Sequence, residues 1–162
     1  MTEPAAIGAT RGPDEAAWTP LFVLWLVSLA ATLGSLFFSE VMRLPPCHLC
    51  WYQRIAMFPL LVVSTVALVR RDRHAGAYAW PFAAAGLAVS LYHNLLYYHV
   101  VPEGLTPCGE GTSCTERQIE WLGFVSIPLL ALGAFVLSAG CLVWFEVRAR
   151  GRERTFDGSI SR

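Results

Sequence analysis

Pro45-Pro46-Cys47-His48-Leu49-Cys50-Trp51-Tyr52-Gln53-Arg54 places a Cys-x-x-Cys pair where a long apolar run begins. The two prolines cannot extend a preceding helix but suit the start of a new one. The sequence therefore predicts Cys47 in the first turn of a helix that continues through Leu60 to Val69. A cysteine there feels the positive end of the helix dipole, which favours thiolate, the form that attacks and leaves in disulfide exchange. Cys50 and Arg54 follow at helical spacing, so the three side chains fall roughly on one face. Arg54 is then about 6 Å deeper along the axis than Cys50.

A Cys-x-x-Cys pair serves half a zinc site, a structural disulfide or a catalytic dithiol. A structural zinc site takes four N/S ligands, and the remaining cysteines do not form a second Cys-x-x-Cys, so no metal is expected. A bridge across two residues closes too small a loop to remove much unfolded-chain entropy. The redox reading is preferred.

With 55% hydrophobic and 15% charged residues in 162, the chain is expected to be one domain and too apolar for an ordinary soluble one. Pro20–Ser39, Ala75–Val101 and Trp121–Phe145 carry no charge, and Cys50–Val69 carries only Arg54. Each window is long enough for the ~30 Å hydrocarbon layer. The first is too long for a signal-peptide core, and its leader carries one Arg against three acids, so it is read as a retained helix. The expected fold is all-α, an integral-membrane four-helix bundle with spans at about 18–41, 50–69, 77–100 and 121–147. Residues 1–17 are read as a cytoplasmic leader and 148–162 as a basic, disordered cytoplasmic tail.

Net charge is zero, yet its distribution is uneven. All twelve basic residues are Arg, and nine lie in the leader, the Arg70-Arg71-Asp72-Arg73 turn and the tail. The positive-inside rule then makes those segments and both termini cytoplasmic. Cys47, Cys50, Cys108 and Cys114 share the opposite, oxidising face of the cell membrane. Cys141 lies amid Ala139-Gly140 and Leu142-Val143 and is read as a packing residue. The partners are the lipid bilayer and an extracytoplasmic thiol protein; no nucleic acid is expected.

Gly104, Pro107, Gly109 and Gly111 give turn chemistry to the loop that carries the second pair. Ser113-Cys114-Thr115-Glu116 has capping-box form, which predicts a short helix from Cys114 toward Trp121. One fixed pair and one loop pair suit a relay by thiol–disulfide exchange. Exchange moves an oxidising equivalent without creating one, so a net producer of disulfides needs an electron acceptor. The sequence has no haem or iron–sulfur cluster motif and no dinucleotide fingerprint. A quinone from the membrane pool, ubiquinone or menaquinone, is the acceptor a four-helix membrane domain reaches.

Cys-His-Leu-Cys-Trp-Tyr-Gln-Arg at the mouth of an apolar helix is followed by Tyr92-His93 and by Trp121-Leu122-Gly123-Phe124-Val125-Ser126-Ile127-Pro128. Together these resemble the disulfide-bond formation protein B family, and within it the shorter BdbC-type branch, over about residues 20–147. The chain departs from the longer branch in having only five residues between Cys108 and Cys114. The resemblance implies a thiol:quinone oxidoreductase that reoxidises a thioredoxin-fold thiol oxidase of the DsbA or BdbD kind. It implies that Cys50 passes electrons to the quinone and Cys47 is its exchange partner. Arg54 would then stabilise the Cys50 thiolate and the reduced quinone, Cys108 would receive the partner's thiolate, and Cys114 would resolve the mixed disulfide.

Each role has a plainer rival. Arg54 snorkels to the headgroups, or serves the site as an intramembrane charge does by default. His93 and Gln53 are candidate quinone contacts or interhelical hydrogen-bonding groups. Cys108–Cys114 is a relay pair or a structural clip. For the whole chain, a vitamin K epoxide reductase-like enzyme would use the same parts to change the quinone, whereas a non-catalytic four-span protein with structural disulfides would have no need of Arg54.

Overall fold

A computed structural model describes residues 15–101, 120–121 and 125–160, with side chains described over 18–101 and 126–150. Helix α1 (Glu15–Leu36) ends in a π turn, Phe37–Val41, where Met42 N–H bonds to Phe37 O at 3.1 Å. Helix α2 (His48–Arg70) begins directly after the two prolines, as their missing N–H groups favour. The turn into α3 (Ala75–Tyr97) is closed by Arg71 at φ 52°, by Asp72 N–H reaching back to Ala67 O at 3.1 Å, and by the Asp72 carboxylate accepting His74 N–H at 2.8 Å. Strand β1 (Glu120–Trp121) pairs antiparallel with β2 (Val125–Ser126), which leads into α4 (Ile127–Ile160).

Helices α1 and α3 each pack against both α2 and α4, which closes a four-helix ring. One end is tied by Arg54 to Ser35 O, Asn94 to Pro128 O and His93 to Gln53. The other is tied by Trp18 against Phe145 and by Trp80 Nε1–H donating to Glu146 at 2.5 Å.

The bundle is apolar outside as well as in. Phe22, Leu33, Val62, Val66, Leu91 and Leu137 are exposed, whereas Ser28, Ser64, Ser90 and Ser138 are fully buried. In water that would be costly, but in lipid the outward residues are already solvated, and small buried residues let the helices approach closely. The serine hydroxyls donate within their own helices, to Leu24, Leu61, Leu87 and Ala134 carbonyls. Gly86 shows how close the approach is, since a Cβ there would overlap the Phe135 ring.

The chain is a helical membrane bundle. Trp18–Val41, His48–Arg70 and Ile127–Arg150 are long and apolar enough to cross a bilayer. Helix α3 equals α2 in length, at 23 residues, but carries the buried polar side chains of Ser90, His93 and Asn94. Other expectations are corrected. Cys47 caps α2 rather than lying in its first turn, Pro81 is internal to α3, and α4 starts at Ile127 rather than Trp121. Pro128 explains the last, because proline suits a first turn. The helix expected from Cys114 lies outside the described residues except for Glu120 and Trp121, which are strand. The basic tail, expected to be disordered, continues α4 to Ile160. The chain there lacks proline, and Arg150 pairs with Glu146 one turn back at 3.3 Å.

Candidate active site

Cys47 has extended backbone angles, φ −69° and ψ 167°, which turn its side chain over the first turn of α2. Its Sγ accepts the Cys50 N–H at 3.3 Å, taking the place that a serine or aspartate oxygen fills at most helix starts. The two sulfurs are 2.6 Å apart and both are free thiols. Cys47 is 7% exposed and Cys50 half-buried, and Leu49, Leu96, Val89 and Tyr92 pack around them.

Helix α3 brings a third group. His93, 2% exposed, lies with Nε2 3.9 Å from Cys47 Sγ, and its Nδ1 is 3.4 Å from Gln53 Nε2. An amide nitrogen only donates, so Nδ1 accepts from Gln53 and the neutral ring carries its proton on Nε2, aimed at the sulfur. The Cys47 thiol is held well below its usual range, first by the hydrogen bond from the Cys50 thiol. Burial opposes this, and the hydrogen bonds from His93 and the Cys50 N–H reinforce it. The N-terminal field of α2 therefore acts most directly on Cys47, where the sequence placed the stabilised thiolate on Cys50.

Arg54 lies one turn beyond Cys50. Its Nη2 donates to Ser35 O at 2.8 Å, and its guanidinium stacks over Trp51, 5.5 Å from the ring centre. In this geometry the side chain is tied to α1, just before the π turn, rather than extended toward headgroups. Ser35 Oγ, in the same place, is buried without a hydrogen-bond partner. Four guanidinium N–H groups and one hydroxyl thus remain as donors beside Cys50, a set that fits the carbonyl oxygens of a quinone. Nothing in the sequence singled out Ser35; its carbonyl and hydroxyl matter only because of how α1 packs on α2.

Of the other sequence candidates, Cys108 and Cys114 lie outside the described residues. Cys141 is buried, 8% exposed, in the main apolar cluster with Leu142 and Phe145. Asn94, beside His93, donates to Ser90 O and Pro128 O, both at 2.8 Å, and so fixes the start of α4 against the end of α3.

The family model of the disulfide bond formation protein DsbB matches residues 17–145. Disulfide bond formation protein C of Bacillus subtilis (strain 168) is 43% identical over 117 residues, 72% of this chain and 85% of that protein. A probable disulfide formation protein C 1 of Bacillus anthracis is 43% identical over 122 residues, covering 75% of this chain and 87% of its own. A probable disulfide formation protein of Metapseudomonas resinovorans is 41% identical over 132 residues, 81% of this chain and 92% of that one. No solved structure matches the chain significantly.

Proposed function

The chain belongs to the disulfide bond formation protein DsbB family, and from that premise we propose that it regenerates disulfides outside the cytoplasm by passing thiol electrons to a quinone. It is a membrane disulfide-forming oxidoreductase. The observation that carries the finer reading is the close Cys47–Cys50 sulfur pair at the mouth of α2, with donors from three helices around it.

A thioredoxin-fold partner of the extracytoplasmic space delivers its electrons to the Cys108–Cys114 disulfide, and that pair, once reduced, delivers them to Cys47–Cys50. Each exchange breaks one S–S bond and makes another, so two electrons move per cycle and none is lost. Cys47 exchanges with the loop pair; its helix-capping position makes it a good leaving and attacking sulfur. Cys50, half-buried beside exposed Trp51 and Tyr52, faces the acceptor. A quinone, when bound, supplies a sink for two electrons and two protons. Arg54 and Ser35 Oγ orient its oxygen and favour negative charge there, while His93 Nε2 holds a proton against Cys47. Gln53 fixes the tautomer that does so.

The arginine distribution supports placing the Cys47 end outside. The Arg70–Arg73 turn lies at the end of α2 opposite the cysteines, and the termini share that end. In that orientation α3 is the fourth span. The relatives' printed names favour disulfide formation over an enzyme that exists to change the quinone.

The test is quinone-dependent oxidation of a dithiol protein by the purified full-length chain, with ubiquinone and menaquinone analogues in turn. Turnover that requires quinone and is abolished by Cys50→Ser is expected. Thiol oxidation that proceeds equally without quinone would overturn the reading.

A further inference from the structure

We infer that the reduced Cys47–Cys50 pair and His93 form a three-donor site for a zinc ion, which holds the pair in its reduced form and arrests the cycle. The inference stands on geometry that does not depend on the quinone. The two Sγ atoms and a ring nitrogen of His93 lie within 4.8 Å of one another. The sequence contained only half a zinc site; packing of α3 on α2 supplies the missing nitrogen.

Distances favour the ion. Sulfur and nitrogen bound tetrahedrally at 2.3 and 2.1 Å sit about 3.6 Å apart. Cys47 Sγ and His93 Nε2 are already 3.9 Å apart. Two sulfurs on the same ion sit about 3.8 Å apart. From 2.6 Å, the half-buried Cys50 Sγ therefore needs to swing outward by about 1 Å, which a change of χ1 provides without moving the helix. The second shell is also present. Metal binding needs the Nε2 lone pair, which moves the ring proton to Nδ1, and the Gln53 amide then turns to accept it through Oε1.

Charge selects the metal class. Two thiolates neutralise one divalent ion, so the assembled centre carries no net charge in a setting where Cys47 and His93 are almost wholly excluded from solvent. Calcium and magnesium want oxygen ligands, and a monovalent copper centre would remain an anion. On binding, two S–Zn bonds and one N–Zn bond form, the thiol protons leave to solvent, and no electron moves. The disulfide offers no thiolate, so oxidation and zinc binding exclude each other.

The experiment titrates Zn2+ into full-length protein in detergent against a coloured chelator, for the reduced and the oxidised chain. One ion per reduced chain and none per oxidised chain is expected. Cys50→Ser should abolish tight binding, His93→Gln should weaken it at least about tenfold, and Cys108→Ser/Cys114→Ser should leave it unchanged. Because His93 is buried, His93→Cys serves as the check on folding and should restore binding through a third soft donor. Co2+ in place of Zn2+ should give the sulfur-to-metal absorption of a tetrahedral site in the wild type and lose it in Cys50→Ser. Binding by the oxidised chain, unchanged affinity in Cys50→Ser or His93→Gln, or loss of binding in the loop double variant would each overturn the inference.

Discussion

His93 Nε2 on α3 lies 3.9 Å from Cys47 Sγ at the start of α2, although 46 residues separate them in the chain. The imidazole proton and the helix-capping N–H of Cys50 converge on one sulfur, so Cys47 is the cysteine prepared to be an anion.

The first expectation concerns pH. The folded-state pKa of Cys47 is lowered, so the folded reduced protein holds fewer protons than the unfolded chain. The resulting stability is present above the ordinary thiol pKa and is lost as pH falls through the folded value. Alkylation of Cys47, followed by mass spectrometry, should accordingly persist well below the pH at which a free thiol stops reacting. His93→Gln should move the midpoint upward. An unmoved midpoint would remove His93 as a partner of the sulfur.

Arg54→Met and Ser35→Ala separate two kinds of donor. Losing a charged hydrogen-bond donor costs about 1.5–3 kcal/mol, or roughly 10- to 150-fold in quinone affinity. Losing the hydroxyl costs about 0.5–1.5 kcal/mol, or roughly 2- to 10-fold, and leaves the Ser35 carbonyl in place to hold Arg54. Arg54→Lys should not restore the wild-type affinity, because one ammonium cannot both donate to Ser35 and present a planar fork. Equal affinities across these variants, from quinone titration, would return Arg54 to a purely structural role.

Gly86→Ala forces a methyl into the ring of Phe135, and overpacking of this kind costs about 1–3 kcal/mol. Thermal unfolding in detergent should show the loss, and Phe135→Leu in the same chain should recover part of it. Recovery is the informative result, since it ties the defect to the α3–α4 contact.

Cys141→Ser should leave quinone-linked oxidation close to wild type. The residue is buried with Leu142 and Phe145, away from the capping cysteine, and a serine in a membrane helix bonds its own backbone as Ser138 does. A stable variant without turnover would show that Cys141 takes part in the redox chain.

Orientation is checked by a membrane-impermeant thiol reagent added to intact cells after mild reduction. Labelling of Cys108 or Cys114 from outside is expected; labelling only after the inner face is opened would reverse the topology.

The membrane class and the redox pair were legible because both are local signals. Uninterrupted apolar windows need no knowledge of packing, and Pro-Pro-Cys-x-x-Cys declares a helix start by itself. The surroundings of the pair were not local. His93 and Gln53 were noticed as polar groups in apolar helices, but which of them faces Cys47 depends on the rotation of α3 against α2, settled by small residues such as Ala83 and Gly86. The role of Ser35 was hidden further, because a backbone carbonyl has no sequence signature. The extension of α4 beyond the bilayer was missed because a basic tail was read from its charge, while its helical propensity and the Glu146–Arg150 spacing pointed the other way.

The π turn at Phe37–Val41 makes this chain intolerant of a one-residue deletion at that place. Restoring the ordinary i→i+4 ladder would rotate everything after it by about 100° relative to α1. Only Met42 to Pro46 stand between that turn and the capping cysteine, and two of those residues are prolines. So short and stiff a joint cannot absorb the rotation. A deletion in the first helix, far from any sulfur in sequence terms, would therefore misalign the redox pair, and chains of this family are expected to vary in length elsewhere.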